Sequence, residues 1–276
     1  MSHKHAKIYA AATPAWYDIK RAREIVEAYN SGGGSGQPAD RFIAESVVPA
    51  GTGSFRDFSY IAPDVPQYHA ENCVACMDCV QNCPDSAIFG KVMLPDVLEA
   101  ELARVTDAHQ RDFIKDHWVE TTKFHKTYQK KHEKDASQPK GAMFGIFVDP
   151  TKCKGCGECV VACGEHESLS MVKKTRDNLP SYQAAWAFYR DTPATPDAYI
   201  SPRLKVDIML KDSANLYVGG GGSCMGCGEA SVIRQIMAIT YEKVGHKCGI
   251  IAATGCNTVY SSTYPYNTFM VPWTNS

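Results

Sequence analysis

The chain has 276 residues, 44% of them hydrophobic and 21% charged, which is the balance of a folded globular protein long enough for one large domain or two ordinary ones. Its net charge of −1 gives no sign of a nucleic-acid or anionic-membrane partner, and no stretch approaches the roughly 18 consecutive apolar residues of a membrane span. Residues 1–7 have no apolar core behind their charges, so we expect no secretory signal and a cytoplasmic location.

The first 64 residues carry little chemistry, and we assign them to an amino-terminal segment and linker. One helix is predicted there, because apolar residues recur at spacings of three and four at Ile19, Ala22, Ile25, Val26 and Tyr29. The helix is expected to end at Asn30, where a Ser-Gly run predicts a flexible linker. Short apolar pieces mixed with Pro and Gly then indicate loops and edge strands.

The chain has twelve cysteines, and eight of them form two tight runs. Cysteines three residues apart cannot brace distant parts of a fold as disulfides, but they are good ligands for a compact metal centre. Both runs match the C-x2-C-x2-C-x3-C spacing of bacterial ferredoxins, which bind two [4Fe–4S] clusters. The first run is Cys73, Cys76, Cys79 and Cys83, and the second is Cys153, Cys156, Cys159 and Cys163.

The spacing also predicts how the two runs share their clusters. Three cysteines in a loop can reach three corners of one cubane, whereas the fourth begins a helix that leads to the other cluster. A zinc site is the alternative, although structural zinc sites use pairs of cysteines rather than such quartets. The first cluster is therefore expected on Cys73, Cys76, Cys79 and Cys163, and the second on Cys153, Cys156, Cys159 and Cys83. The function implied is one-electron transfer.

A ferredoxin-like domain is expected over residues 65–175, with an insertion at about residues 94–140. The insertion begins with an amphipathic helical pattern whose predicted buried stripe is Val97, Leu98, Leu102, Val105, Phe113, Ile114 and Trp118. Its later part is rich in Lys and His. A metal site formed by His109, His117, His125 and His132 is conceivable, but their spacing favours a solvated helix face; a lysine-rich docking patch for an acidic redox protein is a further hypothesis.

Residues 176–218 contain proline-marked turns and are interpreted as a linker. After Gly219 the pattern changes: a helix is predicted over residues 230–243, and Gly245 is expected to stop it. Residues 248–254 then form a short apolar run typical of a buried parallel strand, followed by a turn at residues 254–257. This order predicts the opening of an α/β domain over residues 219–276, and the whole chain is expected to be α+β.

Two further motifs, SCMGCGE at residues 223–229 and ATGCNTVY at residues 253–260, follow the ferredoxin-type runs. In this order the motifs resemble those of pyruvate:ferredoxin oxidoreductase, a 2-oxoacid:ferredoxin oxidoreductase, across about residues 40–276. The resemblance implies that Cys224, Cys227 and Cys256 are ligands of a third [4Fe–4S] cluster. It also implies that Glu229 contacts the aminopyrimidine of thiamine diphosphate, bound with Mg²⁺ in the domain that opens here. Cys248 is interpreted as a buried free thiol.

The resemblance implies oxidative decarboxylation of a 2-oxoacid, with pyruvate as the default, to give acyl-coenzyme A. Electrons would leave through the clusters to an external ferredoxin or flavodoxin. No residue matches the family's GDG…N segment, so the chain is expected to be inactive without the remaining domains or subunits and to hold no catalytic residue itself. Alternatives are a stand-alone polyferredoxin electron carrier, and a family member acting on another 2-oxoacid or linked to NADP. Oxygen-sensitive clusters predict an anaerobic or microaerobic host.

Overall fold

The computed structural model describes residues 19–39, 47–48, 50–121, 123–132, 134, 141–211, 216–219, 222–245, 247–253, 255–261 and 266–275. Two compact units are present. The central unit comprises Ser59–Cys83 and Ala87–Asp212, and the terminal unit comprises Met1–Phe58, Pro84–Ser86 and Ser213–Ser276. Of the described residues, 45% are in helices and 15% in strands, which is compatible with the predicted α+β class.

The elements of the described residues are mostly short. The strands are β1 (Val47–Val48), β2 (Asp64–Tyr68), β3 (Ile88–Met93), β4 (Trp118–Glu120), β5 (Met143–Val148), β6 (Leu169–Lys173), β7 (Ile250–Ala252) and β8 (Trp273–Asn275). The α-helices are α1 (Ile19–Asn30), α2 (Asp78–Asn82), α3 (Pro95–Leu102), α4 (Ala108–Lys115), α5 (Lys123–His132), α6 (Glu158–Cys163), α7 (Leu179–Asp191), α8 (Lys205–Ile208), α9 (Gly228–Val244) and α10 (Cys256–Ser261). None of these helices combines the length and apolarity that a membrane crossing requires.

The central unit contains two halves with the same order of strand, cysteine loop, helix and strand. The first half is β2, α2 and β3, and the second is β5, α6 and β6. β2 pairs antiparallel with β6, and β3 pairs antiparallel with β5, so the first strand of each half is joined to the last strand of the other. Helices α2 and α6 pack against each other. The two halves therefore interlock reciprocally, which brings the two cysteine loops together.

Strands β3 and β5 are buried along almost their whole length, as expected for nearly continuous apolar runs. Each contains a glycine where another part of the chain approaches closely. A Cβ atom on Gly90 would overlap the sulfur of Met77, and one on Gly145 would come within 2.8 Å of the carbonyl oxygen of His117. These two glycines let the first cysteine loop and strand β4 pack directly against the sheet.

The insertion differs from the single helix that its pattern predicts. It forms two helices, α3 and α4, and Trp118 then begins strand β4. The break comes at Asp107, whose side chain accepts a hydrogen bond from the backbone N–H of Gln110 at 2.9 Å and so caps α4. The predicted buried stripe is nevertheless confirmed: Leu98, Ile114 and Trp118 are buried, and the other four predicted residues pack against the same core.

Residues 176–218 also differ from expectation, because helix α7 lies where a linker is predicted. Its buried face carries Tyr182, Trp186 and Tyr189, spaced three and four residues apart, and it packs on β5 and α4. The buried ammonium group of Lys91, on β3, donates hydrogen bonds to backbone carbonyls at the end of this helix. The prolines that suggested turns lie at the start of the helix and beyond its end, so they do not interrupt it.

Helix α1 of the terminal unit confirms the first predicted helix. Ala22, Ile25 and Val26 are buried as the spacing predicts, whereas Tyr29 is 40% exposed. Predictions for residues 1–18 and 40–46 lie outside the described residues.

The remaining part of the terminal unit is a small sheet with the strand order β1–β8–β7. Helix α9 confirms the helix predicted before Gly245, and Gly245 follows it with φ 62. Strand β7 is parallel to β8, in agreement with the predicted strand type. Its expected burial is wrong at Ile251, which is 75% exposed. Successive side chains of a strand point to opposite faces: Ala252 points to the buried face of β7, and Ile251 to the face that is exposed.

Candidate metal centres

The two cysteine loops of the central unit follow the same backbone course. In the first loop the left-handed positions are Ala75 (φ 55) and Met77 (φ 68). Eighty residues later, the equivalent positions are Gly155 (φ 72) and Gly157 (φ 82). Positive φ at two fixed positions turns the backbone of such a loop so that its N–H groups face the cysteine sulfurs. The second loop has glycines at both positions, which adopt positive φ without strain, whereas the first loop has Ala75 and Met77, whose side chains disfavour it.

Backbone N–H groups do point at the sulfurs. The N–H of Ala75 donates to Cys73 Sγ at 3.4 Å. The fourth cysteine of each run is treated alike: Cys83 Sγ accepts from the N–H of Ala87 and Cys163 Sγ from that of Ser168, both at 3.2 Å. Hydrogen bonds of this kind stabilise thiolates that ligate metal and tune cluster potential. The donor arrangement therefore fits an iron–sulfur cluster.

The first predicted ligand set lies around one cavity. The cavity is small, with a volume of about 20 Å³, and three cysteines of the first loop line it together with Cys163 of the second run. The reciprocal pairing of the two halves causes this, because it places the end of α6 beside the first loop. The cavity is otherwise largely apolar, with Met77, Phe144 and Ile146 in its wall. Within the described residues, no three His, Cys, Asp or Glu side chains are close enough together to hold a single metal ion.

The second predicted ligand set is also brought together. Burial raises the pKa of Cys153 to about 12, with the charge of nearby Cys83 as a further cause, while Lys174 lowers it. Burial likewise raises the pKa of Cys159, to which the charges of Cys83 and Cys153 add. Cys83 thus lies among cysteines of the other run, as the shared-cluster prediction requires. Thiols held this deep are neutral until a cation is bound, because metal binding must displace their protons.

Sequence reasoning missed a tyrosine beside the first set. Tyr68, on β2, lines the same cavity and lies five residues before the first cysteine. Its hydroxyl is buried within reach of the Cys73 sulfur, yet it is not aligned for a regular hydrogen bond to any described group. Burial raises the pKa of Tyr68 well above its usual range, and the charge of Cys73 is the second cause of this increase. A buried hydroxyl of this kind suits a group bound in the cavity, since buried polar groups are nearly always paired.

The histidine prediction is wrong for His117. A solvated helix face was expected, but this ring is buried, stacks on Phe147 at 5.4 Å and has its Nδ1 2.7 Å from the carbonyl oxygen of Phe113. Burial lowers its pKa. His109 is exposed as expected, whereas the side chains of His125 and His132 lie outside the described residues.

Two predicted ligands of the third cluster, Cys227 and Cys256, and Glu229, predicted to contact thiamine diphosphate, lie within electrostatic reach of Tyr260, on α10. Burial raises the pKa of Tyr260, and the charges of Glu229, Cys227 and Cys256 contribute in that order. Glu229 and Cys256 are exposed, and Cys227 is half-buried at the start of α9. Tyr260 follows Cys256 by four residues, one helical turn, which is the signal that could have identified it.

The other two cysteines of the terminal unit, Cys224 and Cys248, are not among the residues whose charges act on Tyr260. Cys224 is exposed, in the loop three residues before Cys227. Cys248 is half-buried against the core of the unit, and burial raises its pKa, as befits a free thiol. Thr254, in the motif ATGCNTVY, lies outside the described residues, as do residues 262–265 that follow this motif.

Known proteins similar to this chain are oxidoreductases. It is 27% identical to pyruvate-flavodoxin oxidoreductase of Nostoc sp. over 88% of the chain. It is 24% identical to pyruvate:ferredoxin oxidoreductase of Moorella thermoacetica and 23% identical to a probable pyruvate-flavodoxin oxidoreductase of Escherichia coli, again over 88% of the chain. The chain spans 18% of the length of these relatives. No protein-family model matches it.

The chain is therefore similar to one segment of these oxidoreductases. The more particular resemblance indicated by the order of the cysteine motifs is confirmed as well: the similar proteins are pyruvate–flavodoxin and pyruvate:ferredoxin oxidoreductases.

Proposed function

We propose that this chain is the electron-transfer and partial cofactor-binding portion of a 2-oxoacid oxidoreductase, with pyruvate as the substrate. The central unit would hold two [4Fe–4S] clusters on the two cysteine sets described above. One observation carries the proposal: Cys163 lines the cavity of the first cysteine loop instead of lying with its own run. That exchange is the arrangement by which two four-cysteine runs share two cubanes.

A third [4Fe–4S] cluster would use Cys224, Cys227 and Cys256, completed by a ligand from elsewhere. The electrostatic influence of Glu229, Cys227 and Cys256 on Tyr260 supports a shared cofactor region in the terminal unit. Thiamine diphosphate with Mg²⁺, when bound, would supply the electron sink for decarboxylation of the 2-oxoacid. The contribution of this chain would be the Glu229 carboxylate, which would orient the aminopyrimidine, while other domains or subunits would bind the substrate and coenzyme A.

Electrons would pass from the clusters to an external ferredoxin or flavodoxin. The names of the relatives support this partner, since they include both carriers. The stand-alone electron carrier is not favoured, because the similarity extends over 88% of the chain and so includes the terminal unit as well as the cysteine-rich centre. The cytoplasmic location and the anaerobic host remain predictions.

Iron and acid-labile sulfide after anaerobic purification provide the first test. We expect about eight irons per chain from two cubanes, with the EPR signals of two interacting clusters after reduction. About twelve would show that the third site is also filled. Zinc in place of iron would overturn the proposal. The isolated chain is expected not to oxidise pyruvate, and steady turnover would contradict its role as one portion of the enzyme.

Two double variants test the shared ligand sets directly. Replacing Cys73 and Cys163 by Ala removes two ligands from the same site, so about four irons should remain on the other cluster. Replacing Cys73 and Cys83 by Ala removes one ligand from each site, and both clusters should be lost or severely depleted. Cys248→Ala serves as the control, with full iron content. If the first pair lost both clusters and the second pair lost one, each run would bind its own cluster and the proposed ligand sets would be wrong.

A further inference from the structure

The insertion reaches the first cysteine loop through a single charged side chain. Lys123, the first residue of α5, donates a hydrogen bond from Nζ to the carbonyl oxygen of Ala75 at 2.7 Å. Ala75 lies between Cys73 and Cys76 and has a left-handed backbone, with φ 55. The ammonium group is thus bonded to the backbone of the loop at one of the two positions where the chain must turn.

The start of α5 holds this lysine in place. The backbone N–H of Lys123 donates to Thr121 Oγ1 at 3.2 Å, and its ammonium group lies 5.3 Å from the centre of the Phe124 ring. Phe124 is buried and stacks on Phe144 at 5.5 Å. Phe144 lines the cavity of the first cysteine set. Lys123 therefore contacts the first cysteine loop directly, whereas Phe124 packs against a residue that lines the cavity.

The second loop is braced in another way. Its equivalent residue, Gly155, packs against the backbone of β2, and a Cβ atom there would lie 2.8 Å from the carbonyl oxygen of Asp64. The first loop instead has an alanine whose carbonyl is bonded by a cation. A hydrogen bond from an ionised donor is shorter and stronger than a neutral one, so it can hold a residue with a Cβ atom in this conformation.

We propose that Lys123 is a positioning residue that holds the Cys73–Cys79 loop in the shape that receives a cluster and raises the reduction potential of that cluster. The inference rests on the proposed function, because it concerns the cluster at the first site. Reduction adds one negative charge to a cluster, and a cation fixed on the surrounding loop stabilises the reduced form more than the oxidised form. The charge is local, so the second cluster should feel it much less.

The test compares variants of two lysines on the same helix. Lys123→Met removes both the charge and the hydrogen bond, Lys123→Gln removes the charge but keeps a donor, and Lys126→Met removes a charge from the exposed face of α5. Protein-film voltammetry of the anaerobically purified full chain resolves the potential of each cluster. We expect Lys123→Met to shift one wave to more negative potential by a tenfold change in the reduction equilibrium, about 59 mV for one electron, and to leave the other in place.

A second readout needs no cluster. Hydrogen–deuterium exchange of the apo chain should be faster over Cys73–Cys79 in Lys123→Met than in Lys126→Met, with both variants folded by circular dichroism. Should Lys123→Met fail to fold, Lys123→Gln still tests the effect of the charge alone. In that variant the reduction wave of the first cluster should also move to more negative potential.

Unchanged potentials and unchanged loop exchange in the Lys123 variants would overturn the inference and leave the two-cluster function standing. An equal shift of both waves would overturn it too, because the effect would not be local to the first site. A wild-type chain that assembles no cluster would overturn the proposed function and this inference with it, and its iron content distinguishes that result from the other two.

Discussion

Gly155→Ala tests whether the second cysteine loop depends on close packing against β2. The residue has φ 72, and a Cβ atom would lie 2.8 Å from the carbonyl oxygen of Asp64. That carbonyl cannot yield easily, because Asp64 is paired in the sheet and its side chain forms a 2.8 Å ion pair with Lys173. The left-handed backbone should cost about 0.5–1 kcal/mol, net of the lower unfolded-state entropy of alanine, and the overpacking about 1–3 kcal/mol more, so the total loss is about 1.5–4 kcal/mol.

The matched control is Gly157→Ala. Gly157 has φ 82, but a Cβ atom there would meet no other atom within 4 Å, so this variant should lose only the net backbone contribution of about 0.5–1 kcal/mol. Thermal unfolding of the full chain, followed by circular dichroism, should show a decrease in Tm of about 1–4 °C for the control and about 3–16 °C for Gly155→Ala, at roughly 2–4 °C per kcal/mol. Equal decreases for the two variants would refute the role assigned to the Asp64 contact.

Three other predictions concern the central unit. Ala75→Gly should raise the free energy of unfolding by about 0.5–1 kcal/mol, because glycine relieves the positive φ at some cost in unfolded-state entropy; a lower Tm would contradict this. Lys91→Met should lower the free energy of unfolding by about 1–3 kcal/mol, because the carbonyl oxygens of Tyr189 and Thr192 lose a charged donor; an unchanged melting curve would argue against that bonding. His117→Phe should flatten the pH dependence of Tm below pH 6.5. Burial lowers the pKa of His117, so the unfolded chain takes up a proton that the folded chain does not. The stability is therefore full above pH 6.5 and falls with decreasing pH, by up to about 1.4 kcal/mol per pH unit; identical pH profiles for wild type and variant would contradict the assignment.

Local sequence signals were sufficient for the features that repeat at short range. The helices α1 and α9 follow from apolar spacing, and the stop at Gly245 follows from its conformational freedom. The cysteine spacing also predicted which residues would approach one another, and the structure brings Cys163 to the first loop. Each of these signals lies within one turn, one helix or one motif.

Features that depend on distant pairing could not be predicted in this way. Strand β1 pairs Val47 with Thr274, more than two hundred residues later, and nothing local in either segment specifies the other. Helix α7 is a different case, since its aromatic spacing was present in the sequence but the flanking prolines suggested a linker. His117 was assigned to a solvated helix face from the spacing of the four histidines, which says nothing about the aromatic residues that surround it in space.

The insertion and the predicted linker at residues 176–218 each place a side chain near one of the cysteine sets. The insertion supplies Lys123 to the first loop, and α7 supplies Tyr182, whose pKa is raised to about 12 by burial and by the charge of Cys153 in the second set. A low-dielectric surrounding and nearby charges are the means by which a protein sets a cluster potential. If the clusters bind as proposed, the insertion and α7 act on different clusters, so shortening either segment should change the potential of one cluster more than that of the other.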